Sequence, residues 1–161
     1  AHGQDSSVVK PPQLQDHVLE QKVLPEDTND KNVLHAVVKD LAEQVAFKLC
    51  KRRQVANKVK LEIHYTDGHQ RIRIGRIIRI DNRSVIDVCR GLFDKANERR
   101  NRVRTILLDV SDFRPYVNQE VLFPTAENRD MAVSKAVEKV RLKYGTRSLQ
   151  TADVFQALGR V

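Results

Sequence analysis

The chain has 161 residues, of which 40% are hydrophobic, and it carries a formal net charge of +8 at pH 7. This length and composition allow one globular domain with a real core, and a second domain is not required. No apolar run approaches the ~20 residues that a membrane-spanning helix needs, and no segment resembles a signal peptide, which predicts a soluble cytoplasmic protein without a membrane partner.

The first third of the chain predicts a linker, an edge strand and a helix. Residues 1–13 include Pro11-Pro12 in an extended stretch that is typical of a connection between domains, so we expect a fragment of a longer polypeptide. An edge strand is predicted for residues 14–24, ended by Pro25. A helix should begin near Asp30, whose carboxylate can accept hydrogen bonds from the first turn. Its apolar stripe has helical spacing and comprises Val33, Leu34, Val37, Val38, Leu41, Val45 and Leu49.

Residues 59–80 predict a β-hairpin with Asp67-Gly68 at its turn, because Gly supplies the positive φ of a tight turn without strain. A two-residue turn pairs Thr66 with His69 and thereby fixes the register. The predicted pairs are Ile63 with Ile72 and Leu61 with Ile74 on a face covered by helices, and Glu62 with Arg73 and His64 with Arg71 on the opposite face. Near Gly75 the alternation fails, since Arg76 falls on the apolar face unless a bulge turns it out.

The opposite face of this hairpin is predicted to be basic and open to a partner. Residues 48–104 hold 17 Lys and Arg against 6 Asp and Glu, whereas the rest of the chain has a net charge of −3. Most charge runs are only solvated surface, but an excess this local on a sheet face favours nucleic acid. The cations predicted to contact nucleic acid are Lys58, Lys60, Arg71, Arg73, Arg76, Arg79, Arg102 and Arg104.

The remaining elements complete a split β-α-β-β-α-β order. A second helix is predicted to begin near Ser84, where Ser84 and Asp87 approximate a capping box, and a strand follows over residues 102–110. This order predicts an α+β fold, a four-stranded antiparallel sheet with both helices on one face. A C-terminal helix is predicted from Asn128 to Tyr144, ended by Gly145. Its stripe consists of Val133, Ala136, Val137, Val140 and Tyr144.

No catalytic or metal site is predicted. Four aspartates could suggest a two-metal site, but each has a turn or capping explanation, namely Asp67, Asp81, Asp109 and Asp112. The five histidines lack metal-ligand spacing, and Cys50 and Cys89 are expected to be reduced thiols. The chain is therefore predicted to be neither an enzyme nor the holder of a cofactor, and no small-molecule substrate is expected.

Together these segments resemble the little finger domain of Y-family translesion DNA polymerases, in particular the bacterial polymerase IV type (ImpB/MucB/SamB-like). The resemblance begins with the segment from Val8 to Pro12, which in the family leaves the thumb of the polymerase core. It continues with the helix that ends in Lys48-Leu49-Cys50-Lys51-Arg52, the hairpin, residues 92–96 with the strand at 103–107, and the helix from Ala136 to Gly145. It implies sequence-independent binding of primer-template duplex DNA through phosphates. It also implies that the catalytic core of the polymerase is not among these residues. That core would use Mg and would be a partner of this domain. The implied division is 1–13 linker, 14–113 little finger, 114–127 linker and 128–161 helix and tail.

A short segment after the little finger resembles the QxxLF peptide that docks bacterial polymerases on the sliding clamp. Gln119, Leu122 and Phe123 match this motif, whereas Glu120 occupies a position that the family usually fills with an apolar residue. Its place in the chain favours clamp docking. The alternative is a hydrophobic clasp that packs Leu122 and Phe123 onto the domain.

Two other classes of binding domain share this element order. An RNA-recognition module stacks bases on sheet aromatics, but Tyr65, the only aromatic of the hairpin, is predicted to face the helices. A regulatory domain of ferredoxin-like fold, for a small molecule or a protein, has no need of the basic segment. Salt-dependent binding of duplex DNA separates this last class from a little finger.

Overall fold

The computed structural model describes residues 16–77, 82–115 and 126–159. The elements are β1 (His17–Thr28), α1 (Lys31–Arg52), β2 (Gln54–Tyr65), β3 (Gln70–Arg76), α2 (Asn82–Ala96), β4 (Val103–Pro115), α3 (Ala126–Tyr144), a 3-10 turn (Thr146–Ser148) and α4 (Ala152–Leu158). The strands form one antiparallel sheet in the order β1-β4-β2-β3. The predicted α+β fold with its C-terminal helical extension is confirmed.

Helix α1 begins as the sequence predicts. Asp30 is its N-cap and accepts a 2.8 Å hydrogen bond from the Asn32 N–H. The prediction that Pro25 ends the first strand is wrong, since β1 continues to Thr28 with a register shift after Val23. An edge strand tolerates proline because its outer side needs no hydrogen-bond donor.

The hairpin has a register different from the predicted one. Tyr65 and not Thr66 closes the turn, since its N–H donates to the His69 carbonyl at 2.9 Å. The loop therefore has three residues, with Gly68 in the left-handed region at φ 79°, which is the arrangement of a turn followed by a glycine bulge. The observed pairs are Leu61 with Arg73, Glu62 with Ile72, Ile63 with Arg71 and His64 with Gln70.

This one-residue shift turns β3 over relative to the prediction. Arg71 and Arg73 lie on the helix side of the sheet, opposite Ile63 and Leu61, and their predicted place on the open face is wrong. Ile72 and Ile74 lie on the open face and are 45% and 57% exposed. Arg76 reaches the open face without a bulge. Gly75 faces α2, where a Cβ would come within 3.1 Å of the Leu92 side chain, so α2 can approach β3 closely here.

The core lies between the sheet and the α1–α2 layer. The sheet contributes Val59, Leu61, Ile63, Ile106 and Leu108, all buried, and Phe93 of α2 packs with them. Burial raises the pKa of the Cys89 thiol to about 12. The capping-box prediction for Ser84 is wrong, because α2 begins at Asn82 and Ser84 lies within its first turn.

The C-terminal elements form a third layer on the outer side of α1. The C-terminal elements make three polar contacts with residues on one face of α1. Lys39 forms an ion pair with Asp153 at 2.8 Å, Glu43 forms an ion pair with Arg141, and the Cys50 thiol forms a hydrogen bond with Glu138. Burial chiefly, with the charge and hydrogen bond of Glu138, raises the pKa of Cys50 to about 11. Partial burial of Asp153 opposes its ionisation, but the hydrogen bonds and positive charge of Lys39, with a hydrogen bond from the Val154 N–H, lower its pKa to about 2.

Helix α3 differs in detail from its prediction. It begins at Ala126, two residues before the predicted start, and it ends before Gly145, as predicted. The predicted apolar stripe does not form the packing surface, since Val133 and Tyr144 are 62% and 65% exposed. Arg141 on this helix is buried instead. In the described part of the chain, no helix is long and apolar enough to cross a membrane.

Candidate nucleic-acid interface

The sheet face opposite α1 and α2 is the candidate interface, and strand pairing divides its side chains into four transverse rows. Because paired residues share a face and alternate residues return to it, the register defines each row across β1, β4, β2 and β3. In that order the rows are His17, Ser111, Lys58 and Arg76; Leu19, Asp109, Lys60 and Ile74; Gln21, Leu107, Glu62 and Ile72; and Val23, Thr105, His64 and Gln70.

The first row, which we name the basic row, lies at the end of the sheet remote from the hairpin turn. Lys58 and Arg76 are exposed and stand directly opposite each other. Across residues 16–77, 82–115 and 126–159, neither side chain forms an ion pair with a carboxylate. Like charges directly opposite on a sheet destabilise it, by up to about 1 kcal/mol for a pair. A bound anion that bridges the two cations would relieve this repulsion.

The two middle rows are much less basic than the sequence suggests. Lys60 lies 3.5 Å from Glu62 and 3.9 Å from Asp109. His64 Nε2 lies 2.6 Å from the Glu62 carboxylate, and this hydrogen bond is the main cause that lowers the pKa of Glu62. Exposed aliphatic side chains, among them Leu19 and Ile74, occupy the sheet edges. The two middle rows therefore hold two carboxylates against one ammonium group, between apolar edges.

The other predicted contacts are dispersed. Arg104 occupies a bulge, because Thr105 opposes His64 and Val103 opposes Tyr65, and its guanidinium pairs with Asp27 at 3.1 Å. On the helix side, Arg73 pairs with Glu98 at 3.0 Å. Arg102 is exposed in the loop before β4. Arg79 lies outside the described residues, and so do the predicted clamp-binding residues Gln119, Leu122 and Phe123.

Of the eight predicted cations, the structure brings Lys58, Lys60 and Arg76 together on the open face, and only Lys58 and Arg76 share the basic row. His17 and Ser111, the other members of that row, are not indicated by the sequence pattern. Only the pairing of β1 and β2 with β4 reveals them, because no local motif links positions so far apart in the chain.

In the ranges that the structure describes, no group of three or more His, Cys, Asp or Glu side chains is placed to hold a metal ion. Asp67 is a turn residue whose carboxylate accepts from the His69 N–H at 3.1 Å, which is the first cause of its lowered pKa. The acidic side chains on the open face, Glu62 and Asp109, are engaged with Lys60.

The fold and its surface define the class: a small α+β domain of split β-α-β-β-α-β order, with one sheet face uncovered and a basic row across it. A family model described as the impB/mucB/samB family C-terminal domain matches residues 16–122. The chain therefore belongs to the impB/mucB/samB family, and the sheet with helices α1 and α2 lies within the match.

A solved structure shows the same fold. The complex of a beta-clamp processivity factor and the little finger domain of PolIV matches with a TM-score of 0.50 and 18% sequence identity. The match covers 68% of this chain and 99% of that chain, so the likeness extends over a whole little finger domain. None of the curated proteins matches the sequence.

Proposed function

We propose that this chain binds primer-template duplex DNA without sequence preference, as the little finger of a Y-family lesion-bypass polymerase of the polymerase IV type. Residues 1–13 would join it to the catalytic core, 14–113 form the little finger, 114–127 a second linker and 128–161 a helical tail. The catalytic core would supply the Mg-dependent chemistry, and this domain would hold the duplex. Such a protein works on the chromosome in the bacterial cytoplasm.

The observation that carries the proposal is the basic row. Lys58 and Arg76 face each other on an exposed sheet, where their repulsion costs free energy unless an anion lies over them. A duplex presents closely spaced phosphates, and contacts from Lys and Arg to phosphates fix position without reading bases. Family membership supports DNA as the source of those phosphates.

The test is the salt dependence of duplex binding. A slope of log K against log salt of about −3 is expected if roughly three phosphates are contacted, namely by the basic row and one neighbouring cation. The double substitution Lys58→Gln, Arg76→Gln should flatten the slope by about 2 and weaken all sequences alike. Fluorescence anisotropy with labelled duplexes of unrelated sequence measures both quantities.

The matched control removes the same charge from the other side of the domain. Arg90 and Lys95 are exposed on α2, which packs on the helix side of the sheet. The double substitution Arg90→Gln, Lys95→Gln should change affinity only through net charge and should leave the slope nearly intact. If both double variants change binding equally, duplex contact at the basic row is wrong.

We further propose that residues 119–123 dock this chain on a sliding clamp. The solved relative is a complex of a little finger domain with a beta clamp, which supports this partner. A short peptide loses ordering entropy when it binds, so a dissociation constant of about 1–100 μM is expected. Leu122→Ala with Phe123→Ala should abolish binding to immobilised clamp, whereas Val121→Ala serves as the control. Equal binding of all three chains would favour the hydrophobic clasp.

A further inference from the structure

The hairpin end of the helix side holds a cluster of cations that duplex binding on the open face does not use. Because of the observed register, His69 and Arg71 lie on the same side of the sheet as Tyr65. Arg99, in the loop before β4, places its guanidinium 5.8 Å from the centre of the Tyr65 ring. Arg73 joins the cluster from the next position of β3 on this side.

The acidic side chains of this region are already engaged. Asp67 accepts hydrogen bonds from Arg99 Nη2 at 2.8 Å and from Asn101 Nδ2 at 2.6 Å. Glu98 accepts from Arg73 Nη2 at 3.0 Å. Arg71 forms no ion pair with a carboxylate in the described ranges, so the cluster has one guanidinium more than it has acids.

Two polar atoms of the cluster are buried without a partner. Arg71 Nε and His69 Nε2 form no hydrogen bond within the described chain. These two atoms are covered, but each residue as a whole is only half-buried, so a ligand approaches the accessible part of each side chain. A buried polar group without a partner destabilises the folded state, and more so when it is charged. The Tyr65 hydroxyl forms no hydrogen bond with either atom, and it donates towards Ala96 O and Asn97 Oδ1, at 3.4 and 3.3 Å.

We propose that this cluster is a second anion site, formed by Arg71, His69 and Arg99 beside Tyr65, and that its ligand is a phosphate group. Donors from three side chains suit a tetrahedral anion with several acceptor oxygens, and a guanidinium can bond two of them at once. The site is separate from the basic row, because Arg71 and Arg76 lie on opposite sides of β3. Its phosphate is inorganic phosphate, the terminal phosphate of a strand or a backbone phosphodiester.

The test follows the His69 ring by carbon-proton NMR while sodium phosphate replaces sodium chloride at constant ionic strength and pH 7.5. A saturable shift is expected for the wild-type chain. Arg71→Gln should weaken phosphate binding at least tenfold, and Arg71→Lys, which keeps the charge but lacks Nε, should weaken it less. The amide spectrum of each variant reports whether it remains folded, and the lysine variant provides the comparison if the glutamine variant unfolds.

Two oligothymidylates, one with a 5′ phosphate and one with a 5′ hydroxyl, identify the source of the phosphate. A shift with both indicates a backbone phosphodiester, a shift with the phosphorylated strand alone indicates a terminal phosphate, and a shift with sodium phosphate alone indicates the free ion. Arg76→Gln should weaken duplex binding but leave the phosphate-induced shift of His69 unchanged. The two readouts therefore test the phosphate site and the proposed function separately. No saturable shift with any probe, or an equal shift in Arg71→Gln, overturns the site.

Discussion

Gly68 is the last residue of the three-residue loop whose length sets which residues of the hairpin meet the helices and which meet solvent. Its φ of 79° lies in the left-handed region, and a Cβ there would contact nothing within 4 Å. The requirement at this position is therefore conformational and not steric. A side chain would strain the backbone of the three-residue loop, although it would find open space.

We predict that Gly68→Ala destabilises the protein by about 1 kcal/mol, because an L-residue in the left-handed region costs roughly that amount. Gly91 in α2 is the matched control, since a Cβ there also meets nothing within 4 Å but the backbone is helical. Gly91→Ala should stabilise the protein by about 0.5–1 kcal/mol. Chemical denaturation measures both changes, and effects of the same sign would contradict this account of Gly68.

The hairpin also shows how far local sequence determines the candidate site. The alternation of apolar and polar residues predicts the strands, and Asp67-Gly68 predicts the turn. The number of loop residues is not visible in that pattern, because a two-residue and a three-residue loop can both use Gly at this position. One residue of difference moves Arg71 and Arg73 from the open face to the helix side, so the fold was predictable but the membership of the site was not.

Helix α1 connects the two helical layers of the molecule. Its inner face contributes Leu34, Val37 and Leu41 to the core, while Lys39 and Glu43 on its outer face meet the C-terminal elements. Ala36 and Ala46 are also buried. A helix covered on two sides lacks a simple amphipathic pattern. Its apolar stripe was therefore recognisable in the sequence, but the second covered face was not.

The ion pair of Glu43 with Arg141 connects α1 to α3 across 98 residues of sequence. Both side chains are buried, with Arg141 5% exposed, and Arg141 also donates from Nη2 to the Leu149 carbonyl at 2.8 Å. Sequence periodicity cannot predict such a contact, because a buried Arg interrupts the apolar stripe that the pattern would place there. The packed face of α3 therefore includes Arg141 and leaves Val133 and Tyr144 of the predicted stripe exposed.

We predict that Arg141→Leu releases the C-terminal elements from α1. Removing one partner of a buried pair leaves an uncompensated charge, at a cost of about 3–5 kcal/mol if the elements stay docked. Undocking lets water reach Glu43 instead. Hydrogen exchange should therefore accelerate in α3 and α4, while amides of β2 and β4 keep their protection.

The double variant Glu43→Leu, Arg141→Leu tests whether charge is the cause. A buried pair replaced by apolar side chains is often neutral or stabilising, so slow exchange in α3 and α4 should return. If the amides of α3 and α4 exchange as fast in the double variant as in Arg141→Leu, the hydrogen bond from Arg141 to Leu149 O holds the elements in place instead.

At the scale of the whole molecule, three layers separate its surfaces. The open sheet face with the basic row lies on one side, α1 and α2 form the middle, and α3 and α4 lie beyond α1. The net charge of +8 predicts a basic protein. It does not predict which surface is basic, because pairs such as Arg104 with Asp27 and Arg73 with Glu98 neutralise cations locally.

This layering predicts that the C-terminal elements contribute to stability but not to duplex binding. Deleting residues 126–161 should lower the free energy of unfolding by about 2 kcal/mol, since Val154 loses its buried contacts with the domain. The newly exposed Glu43 becomes hydrated, so no buried charge is left unpaired. Arg141→Leu should therefore destabilise the domain no more than the deletion does, because Glu43 also becomes hydrated when the C-terminal elements undock.

Binding of duplex DNA by the shortened chain checks the separation of the surfaces. The basic row remains intact when residues 126–161 are removed, and so does the segment with Gln119, Leu122 and Phe123. The slope of log K against log salt should match that of the full chain, with a small uniform loss from the removed net positive charge. If the slope instead becomes less negative by about 1 or more, cations of α3 such as Lys139 contact phosphates. The duplex would then extend around the domain to the third layer.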